Sequence, residues 1–173
     1  MKKSPIAVVA LLIATLAYGA EDPQANIRAD FDRAQAAVVS GNAGAILDST
    51  YPGLVKQVGG PDAMRSVLTK NLDELEKRSI SVVGTEIVSI SQPVRAGAEL
   101  HAVVRAKRTV KSPGGVQIQD TFVIAVSSDA GKKWTFVDGP QLTPKHIHAL
   151  FPDFNSDLVL PKTEPPVIEK ADR

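Results

Sequence analysis

The residues best placed to do chemistry are ionisable side chains that interrupt the apolar faces of the predicted strands. A hairpin loop centred on Gly114 pairs Arg108 directly with Asp120, and a loop centred on Ala130 places Asp138 diagonal to Asp120. Directly opposed side chains lie about 5 Å apart and diagonal ones about 7–8 Å. These registers predict that Arg108, Asp120 and Asp138 form one polar cluster on the inner face of the sheet.

Charges on an apolar face are costly unless they are paired or lie in a wet cavity. Two carboxylates beside one guanidinium can hold one raised and one lowered pKa, which acid–base catalysis requires. The cluster is therefore interpreted in three ways: a structural ion pair at the open rim of the sheet, a polar ligand pocket, or a catalytic site. In the catalytic interpretation Asp120 or Asp138 is the general base and Arg108 stabilises a developing oxyanion. Glu86, expected further along the sheet, is a further pocket candidate.

Three aromatic residues are candidates for a cavity wall. Tyr51 precedes Pro52 at a helix break, so its hydroxyl either lies over a cavity mouth or reaches the surface from a packed ring. Trp134 and Phe136 lie on the apolar face of the last strand and belong either to the core or to the wall of a pocket. Tyr51 and Trp134 are therefore included among the pocket candidates.

Basic and histidine residues suggest weaker sites. His101, Arg105 and Lys107 share one face of the second strand, which is typical of a solvated convex surface or of a surface that docks an acidic partner. His146 and His148 are two apart in a short helical turn, so they point to different sides and a metal site is not expected. No cofactor or metal is expected from any motif.

Composition narrows the class of protein. The 173-residue chain has no cysteine, which excludes thiol catalysis, disulfides and zinc–thiolate sites. Its 20 basic residues nearly balance 19 acidic ones, so nothing indicates a nucleic-acid partner. The sequence also lacks G-x-S-x-G, Walker A and H-E-x-x-H motifs.

The elements that position these residues begin with helices. Asp22-Pro23 starts a helix that ends at Gly41, and Asn42 caps a short second helix. A short apolar stretch over residues 54–58 follows, and Pro61 then opens a longer amphipathic helix. Later in the chain, Thr143-Pro144 starts one more helical turn that runs through Leu150.

From Ser79 the hydrophobic period changes to two, which predicts β-strands. The four segments cover residues 79–91, 98–111, 116–128 and 133–139. Glycine-containing turns separate the second strand from the third and the third from the fourth. In all four strands the even positions are the more apolar, so we expect them to face the helices. The prediction is an α+β fold with N-terminal helices packed on a curved antiparallel sheet of about four strands.

Two stretches carry a likeness to a known superfamily. One is the run Gly131-Lys132-Lys133-Trp134-Thr135-Phe136-Val137-Asp138-Gly139, and the other is Tyr51-Pro52-Gly53-Leu54-Val55 before a helix rooted in two glycines. With the order of elements, they resemble the nuclear-transport-factor-2-like (cystatin-like cone) superfamily, in particular its exported bacterial members. The resemblance covers roughly residues 26–151 and implies a cone with an apolar pocket. Because that superfamily holds isomerases, cyclases, dehydratases and binding domains, the resemblance does not choose a function.

The N-terminus has the pattern of a cleavable secretory signal peptide. Lys2 and Lys3 precede an apolar run over residues 6–17, which is shorter than the roughly 20 residues of a membrane span. Small residues at Ala17 and Gly19 predict cleavage after Gly19. We expect a signal peptide at 1–19, a domain at 20–151 and an extended, proline-containing tail at 152–173. The mature chain is expected in the periplasm or outside the cell, without a membrane anchor.

Three functions are compatible with these patterns. The first is a non-catalytic exported module that binds a small molecule or an envelope protein. The second is an isomerase- or lyase-type enzyme that uses an inner-face aspartate with Arg108. The third is a structural homodimer with sheets packed back to back through the odd-face residues Val83, Ile87, Val103 and Val123.

Overall fold

The structure is a computed structural model that describes residues 22–162 and the backbone of residues 167–169. The predicted signal peptide and part of the predicted tail, residues 163–166 and 170–173, lie outside the described residues. The described helices are α1 (Pro23–Val39), α2 (Ala43–Ser49), α3 (Pro52–Val58), α4 (Pro61–Lys77) and α5 (Pro144–Leu150). The described strands are β1 (Ser81–Ile90), β2 (Val94–Ala96), β3 (Glu99–Ser112), β4 (Gly115–Ser127), β5 (Thr135–Asp138) and β6 (Val167–Glu169).

Helix starts follow the local signals in the sequence. The Asp22 carboxylate accepts a hydrogen bond from the backbone N–H of Gln24 at 3.0 Å and caps α1. The Asn42 side chain caps α2 by accepting from the backbone N–H of Ala45 at 3.1 Å. The other three helices begin with proline, whose fixed φ suits the first helical position. The short apolar stretch after Tyr51 is therefore a helix of its own.

The sheet is antiparallel, with the strand order β1-β3-β4-β5. The short β2 pairs with the start of β3, and β6 pairs with the first half of β4. Helices followed by an antiparallel sheet confirm the predicted α+β class. The arrangement is also compatible with a nuclear-transport-factor-2-like cone.

Both faces of the sheet are covered. On the helix face, strand residues pack against the buried face of α1, and the main members are Ile27, Phe31, Ala34, Ala102, Val104, Ala106, Val123 and Ala125. On the opposite face, here called the tail face, α5 and the segment after it pack on the sheet, and the main members are Val103, Phe122, Ile124, Val126, Ile147, Leu150, Phe151 and Leu158. Residues 154, 158 and 160 thus contribute side chains to this core.

The predicted registers of both hairpins are wrong by one residue. Between β4 and β5, Asp138 lies opposite Val123 and is therefore not diagonal to Asp120. The β3–β4 hairpin is shifted in the same way. Ser112 pairs with Gly115, so the loop has two residues and Asp120 lies opposite Lys107, while Arg108 lies opposite Gln119. A slip of one residue moves every side chain of a strand to the other face. Even positions of β3 therefore face the helices, whereas even positions of β4 face the tail side. Because both faces of β4 are buried, the apolar pattern did not select the register.

Strand β1 contains two irregularities that change its alternation. The ladder with β3 shifts between Val82 and Gly84 and again between Ile87 and Ser89. Such bulges insert an extra residue and re-aim the side chains that follow. Glu86 consequently lies opposite Lys107 and shares the tail side of the sheet with it. The prediction that even positions of this strand face the helices is correct only at its two ends, at Val82 and Ile90.

The dimer surface predicted from odd positions is not a continuous exposed face. Val103 is buried in the tail-face core and Val123 in the helix-face core. Ile87 packs against the helix-face core, and only Val83 is exposed. Sheets cannot pack back to back through these four residues because they point to different sides.

Helix α1 is fastened to the loop between β4 and β5. The buried Asp30 carboxylate accepts a hydrogen bond from the backbone N–H of Trp134 at 2.7 Å and also pairs with Arg33. One turn earlier, the Asn26 amide donates to the backbone carbonyl of Gly131 at 3.0 Å. Two polar side chains on one helix face therefore hold this loop in place. Within the described residues, no helix is both long and apolar enough to cross a membrane.

Candidate functional site

The structure divides the predicted inner-face cluster between the two sides of the sheet. Arg108 and Asp138 meet on the helix side, where the guanidinium Nη2 lies 3.3 Å from a carboxylate oxygen of Asp138. Asp120 is exposed on the tail side with Lys107 and Glu86. The expected cluster of two carboxylates around one arginine is therefore not formed. The Arg108–Asp138 pair fits the interpretation as an ion pair near the rim.

A large concave feature of the described residues is a groove at one end of the sheet, here called the α3–α4 groove. It has a volume of about 1120 Å³ and is bordered by α2, α3, the start of α4, the start of β3 and the loop between β4 and β5. Its apolar wall includes Leu47, Val55 and Val126. Of the pocket residues predicted from the sequence, Tyr51 lines this groove; Arg108, Asp120, Asp138, Trp134 and Glu86 do not.

The segment around Tyr51, Pro52 and Gly59 forms the groove by changing the direction of the chain. Thr50 makes a bridge to Phe136 at the edge of β5, and the backbone N–H of Tyr51 donates to the carbonyl of Phe136 at 3.1 Å. Pro52 then starts α3, which ends at Gly59 in a left-handed conformation that glycine adopts without strain. The chain consequently turns twice within ten residues and leaves an open space beside the sheet.

A hydrogen-bonded set of three side chains lies at the groove wall. The Tyr51 hydroxyl lies 3.2 Å from both carboxylate oxygens of Glu99, and Nε2 of His101 lies 3.2 Å from one of them. His101 and Glu99 are two residues apart on β3, so they share one face of the strand. Tyr51 and Glu99 line the groove, while the His101 side chain is only 2% exposed behind them.

Aromatic rings fix the orientation of this set. The centroid of the Phe151 ring lies 5.2 Å from the centroid of Tyr51 and 4.9 Å from that of His101. The ring of Phe154 lies 6.3 Å from both His101 and Phe151. Side chains locked by packing hold a polar group in one position, which lowers the entropic cost of binding a ligand. Glu99 is thus presented to the groove as a pre-oriented carboxylate.

The surroundings of His101 indicate which of its two ring nitrogens carries the hydrogen. Nδ1 of the same ring is buried and has no hydrogen-bond partner among the described residues. A neutral ring with its proton on Nε2 donates to Glu99 and leaves only an acceptor unpaired at Nδ1. His101 therefore acts as a second donor to Glu99, together with Tyr51.

The pKa of Tyr51 is raised from 10.0 to about 12. Burial is the largest cause because it disfavours the charged phenolate. The negative charge of Glu99 and the hydrogen bond to its carboxylate raise the pKa further. Tyr51 consequently remains a neutral hydrogen-bond donor at physiological pH and is not placed to act as a base.

Charged side chains occupy the rest of the groove lining. Lys56, Arg65 and Lys133 supply cations from three different elements, and Asp48 and Asp129 join Glu99 as carboxylates. The pKa of Asp129 is lowered, first by the hydrogen bond from the backbone N–H of Lys133 and then by the bond from the Ser127 hydroxyl. The same carboxylate oxygen also accepts from the backbone N–H of Lys132 at 3.1 Å.

The other residues singled out from the sequence lie elsewhere. Trp134 is 1% exposed, and its indole N–H donates to the carbonyl of Gly131, so it is a core residue. Arg105 and Lys107 are exposed, but His101 is buried and does not belong to a basic stripe. His146 and His148 are exposed on α5. No group of three potential metal ligands lies together in residues 22–162.

Sequence reasoning missed Glu99 and the cations of the groove. Glu99 and His101 form an i, i+2 pair on a strand, and this spacing was a usable signal for two side chains on one face. The partnership of Tyr51 with Glu99 joins residues 48 apart, and no local pattern predicts it. No protein-family model matches the chain, and a comparison with curated proteins gives no significant match.

Proposed function

We propose that this protein is a non-catalytic binding module that holds a small organic molecule in the α3–α4 groove. The observation that carries this proposal is the groove itself, about 1120 Å³ in volume and lined by both apolar and oriented polar side chains. Ligand sites are typically concave, largely apolar and equipped with a few fixed polar groups. The Tyr51–Glu99–His101 set, held by Phe151, is such a fixed polar group.

Binding is favoured over catalysis by the state of the polar groups. The Glu99 carboxylate accepts hydrogen bonds from two protein donors, and the raised pKa of Tyr51 keeps its hydroxyl protonated. A general base needs a pKa near the working pH, and Tyr51 is far from it. Of the two aspartates expected to act as a base, Asp138 is paired with Arg108 on the helix side, and Asp120 lies on the tail side. The groove therefore offers recognition groups more readily than a proton acceptor.

We also propose a protein superfamily and a cellular location for this chain. We infer membership of the nuclear-transport-factor-2-like superfamily from the order of elements and from the Gly131–Gly139 run, with which the α+β fold is compatible. We infer export from Lys2, Lys3 and the apolar run over residues 6–17. Mass spectrometry of the protein recovered from its native cell envelope tests export, because cleavage after Gly19 leaves a chain that begins at Ala20.

The binding proposal is tested by native mass spectrometry of the same material. We expect a non-covalent adduct of small-molecule mass that collisional activation removes. The variant Val55→Trp fills the groove from a partly exposed lining position and should abolish the adduct. Val58→Trp, an exposed residue of α3 outside the lining, is the matched control and should retain it. An adduct that survives Val55→Trp contradicts binding in this groove, and a protein adduct in its place favours the envelope-protein alternative.

A further inference from the structure

The three cations of the α3–α4 groove are available to a ligand. Lys56, Arg65 and Lys133 all line the groove, and none of them forms an ion pair with a carboxylate of the described residues. They come from α3, α4 and the loop before β5, so three separate elements converge on the same space. An unpaired cation in a concave site attracts an anion more strongly than one on an open surface, because the cavity walls focus the field.

Two of the three carboxylates of the groove are less available than its cations, whereas the third, Asp48, is exposed. Glu99 already accepts from Tyr51 and His101, and one oxygen of Asp129 accepts from Ser127 and two backbone N–H groups. These bonds disperse the negative charge over protein donors. The formal charges of the lining balance, at three of each sign, but its unsatisfied hydrogen-bonding capacity is mainly that of donors.

Tyr51, which bonds to Glu99, and the cation of Lys56 lie at different ends of α3. Tyr51 precedes the first residue of α3, and Lys56 lies in its last turn. Five residues of helix rise about 7–8 Å, so the Tyr51–Glu99 end and the Lys56 end are separated by roughly the length of a small ring system. Arg65, one turn into α4, lies beyond the Gly59-Gly60 turn that follows Lys56. A ligand along α3 therefore meets the hydrogen-bonded Tyr51–Glu99 pair at one end and the Lys56 cation at the other.

We propose that the ligand of this groove is an amphipathic organic anion whose acidic group binds to Lys56, Arg65 and Lys133. Its apolar body lies along Val55 and Val126, which form part of the groove wall. This inference rests on the proposed binding function and names the chemical class of its ligand. Each of these contacts uses a side chain that lines the groove.

Three matched probes test the proposal: 2-naphthoate, the neutral 2-naphthalenemethanol, and the 2-naphthylmethylammonium cation. They share one rigid apolar body and differ in charge. We expect 2-naphthoate to bind most tightly in a ¹⁵N NMR titration of the full chain, with shift changes at residues 51–65 and 126–135. Its affinity should fall with added salt, because exposed charges are screened over about 10 Å at 0.1 M. The affinity of the alcohol should not change with salt.

Charge reversal at one lysine provides the specific control. Lys133→Glu should weaken 2-naphthoate binding roughly tenfold, because it replaces an attractive charge with a repulsive one, and should leave the alcohol unaffected. Lys132→Glu, at the adjacent exposed residue outside the lining, should change neither. Equal binding of the alcohol and 2-naphthoate in the groove overturns the anion proposal and leaves the binding function intact. Absence of shift changes in the groove with all three probes contradicts the binding function itself.

Discussion

The hydroxyl of Tyr51 bonds to the carboxylate of Glu99 across 48 residues of sequence, with 3.2 Å to each carboxylate oxygen. This bond connects the N-cap residue of α3 to the first residue of β3, and both residues line the α3–α4 groove. Nε2 of His101 bonds to the same carboxylate from inside the protein. The three residues form a unit in which two side chains bond to one carboxylate.

Titration of Tyr51 tests this unit. We expect its phenol to ionise near pH 12, measured as the difference in tyrosinate absorbance between the wild type and Tyr51→Phe. The variant Glu99→Gln should lower the pKa only part of the way to 10.0, because burial is the largest cause of the shift and Glu99 adds to it. A pKa at the ordinary value in the wild type would show that the ring is not packed as described.

The same shift predicts a pH dependence of stability. The folded-state pKa is raised, so its stabilising contribution is fully present below pH 10.0 and is lost as the pH rises to about 12. We expect the wild type to lose about 1–2 kcal/mol more than Tyr51→Phe over this range, less than the full shift implies because the ring is partly exposed. Urea denaturation of both chains at several pH values measures the difference, and parallel stability curves would contradict it.

Asp30 should be important for stability although it does not line the groove. Its buried carboxylate accepts from the backbone N–H of Trp134 at 2.7 Å and fastens α1 to the β4–β5 loop. Asp30→Ala leaves that N–H buried without a partner, which costs roughly 2–3 kcal/mol of unfolding free energy. Asp32→Ala, exposed on the same helix, is the control and should stay within about 0.5 kcal/mol of the wild type. Equal denaturation midpoints for the two variants would exclude this role.

Local signals predicted much of the fold. Proline at helix starts, the Asp22 and Asn42 caps and the glycine turns all depend on a few neighbouring residues, and the sequence contains them directly. The positions of α1, α2, α4 and α5 and of the strands β1, β3, β4 and β5 were therefore predictable. The α+β class followed from their order along the chain.

Register and site were not predictable for physical reasons. Residues 121–127 of β4 are buried on both faces, so a slip of one residue exposes no apolar side chain and the hydrophobic pattern allows either register. The bulges of β1 reversed the side on which Glu86 lies. The contact of Tyr51 with Glu99 depends on the tertiary packing of α3 against the sheet, which sequence periodicity does not encode.

Gly139 is predicted to be important for stability because the ring of Phe122 packs directly against it. A Cβ placed on Gly139 would overlap the ring of Phe122, which is itself buried in the tail-face core. Gly139→Ala forces the ring to move within a packed core, and such overpacking costs about 1–3 kcal/mol. Gly114→Ala is the matched control, since the nearest atom to its Cβ would lie 3.7 Å away in van der Waals contact. Thermal unfolding should show a lower midpoint for Gly139→Ala alone; equal midpoints would disprove the overlap.

The division of the charged residues between two sides of the sheet is tested by double-mutant cycles. Arg108 and Asp138 are paired at 3.3 Å and are partly exposed, so their alanine variants should show a coupling of about 0.2–1 kcal/mol in unfolding free energy. The cycle of Arg108 with Asp120 should show none, because the two residues are on opposite faces. Cross-strand NOEs between Lys107 and Asp120 provide an independent measurement of the register. Coupling of Arg108 to Asp120 that exceeds its coupling to Asp138 would restore the three-residue cluster and, with it, a pair of carboxylates capable of acid–base work.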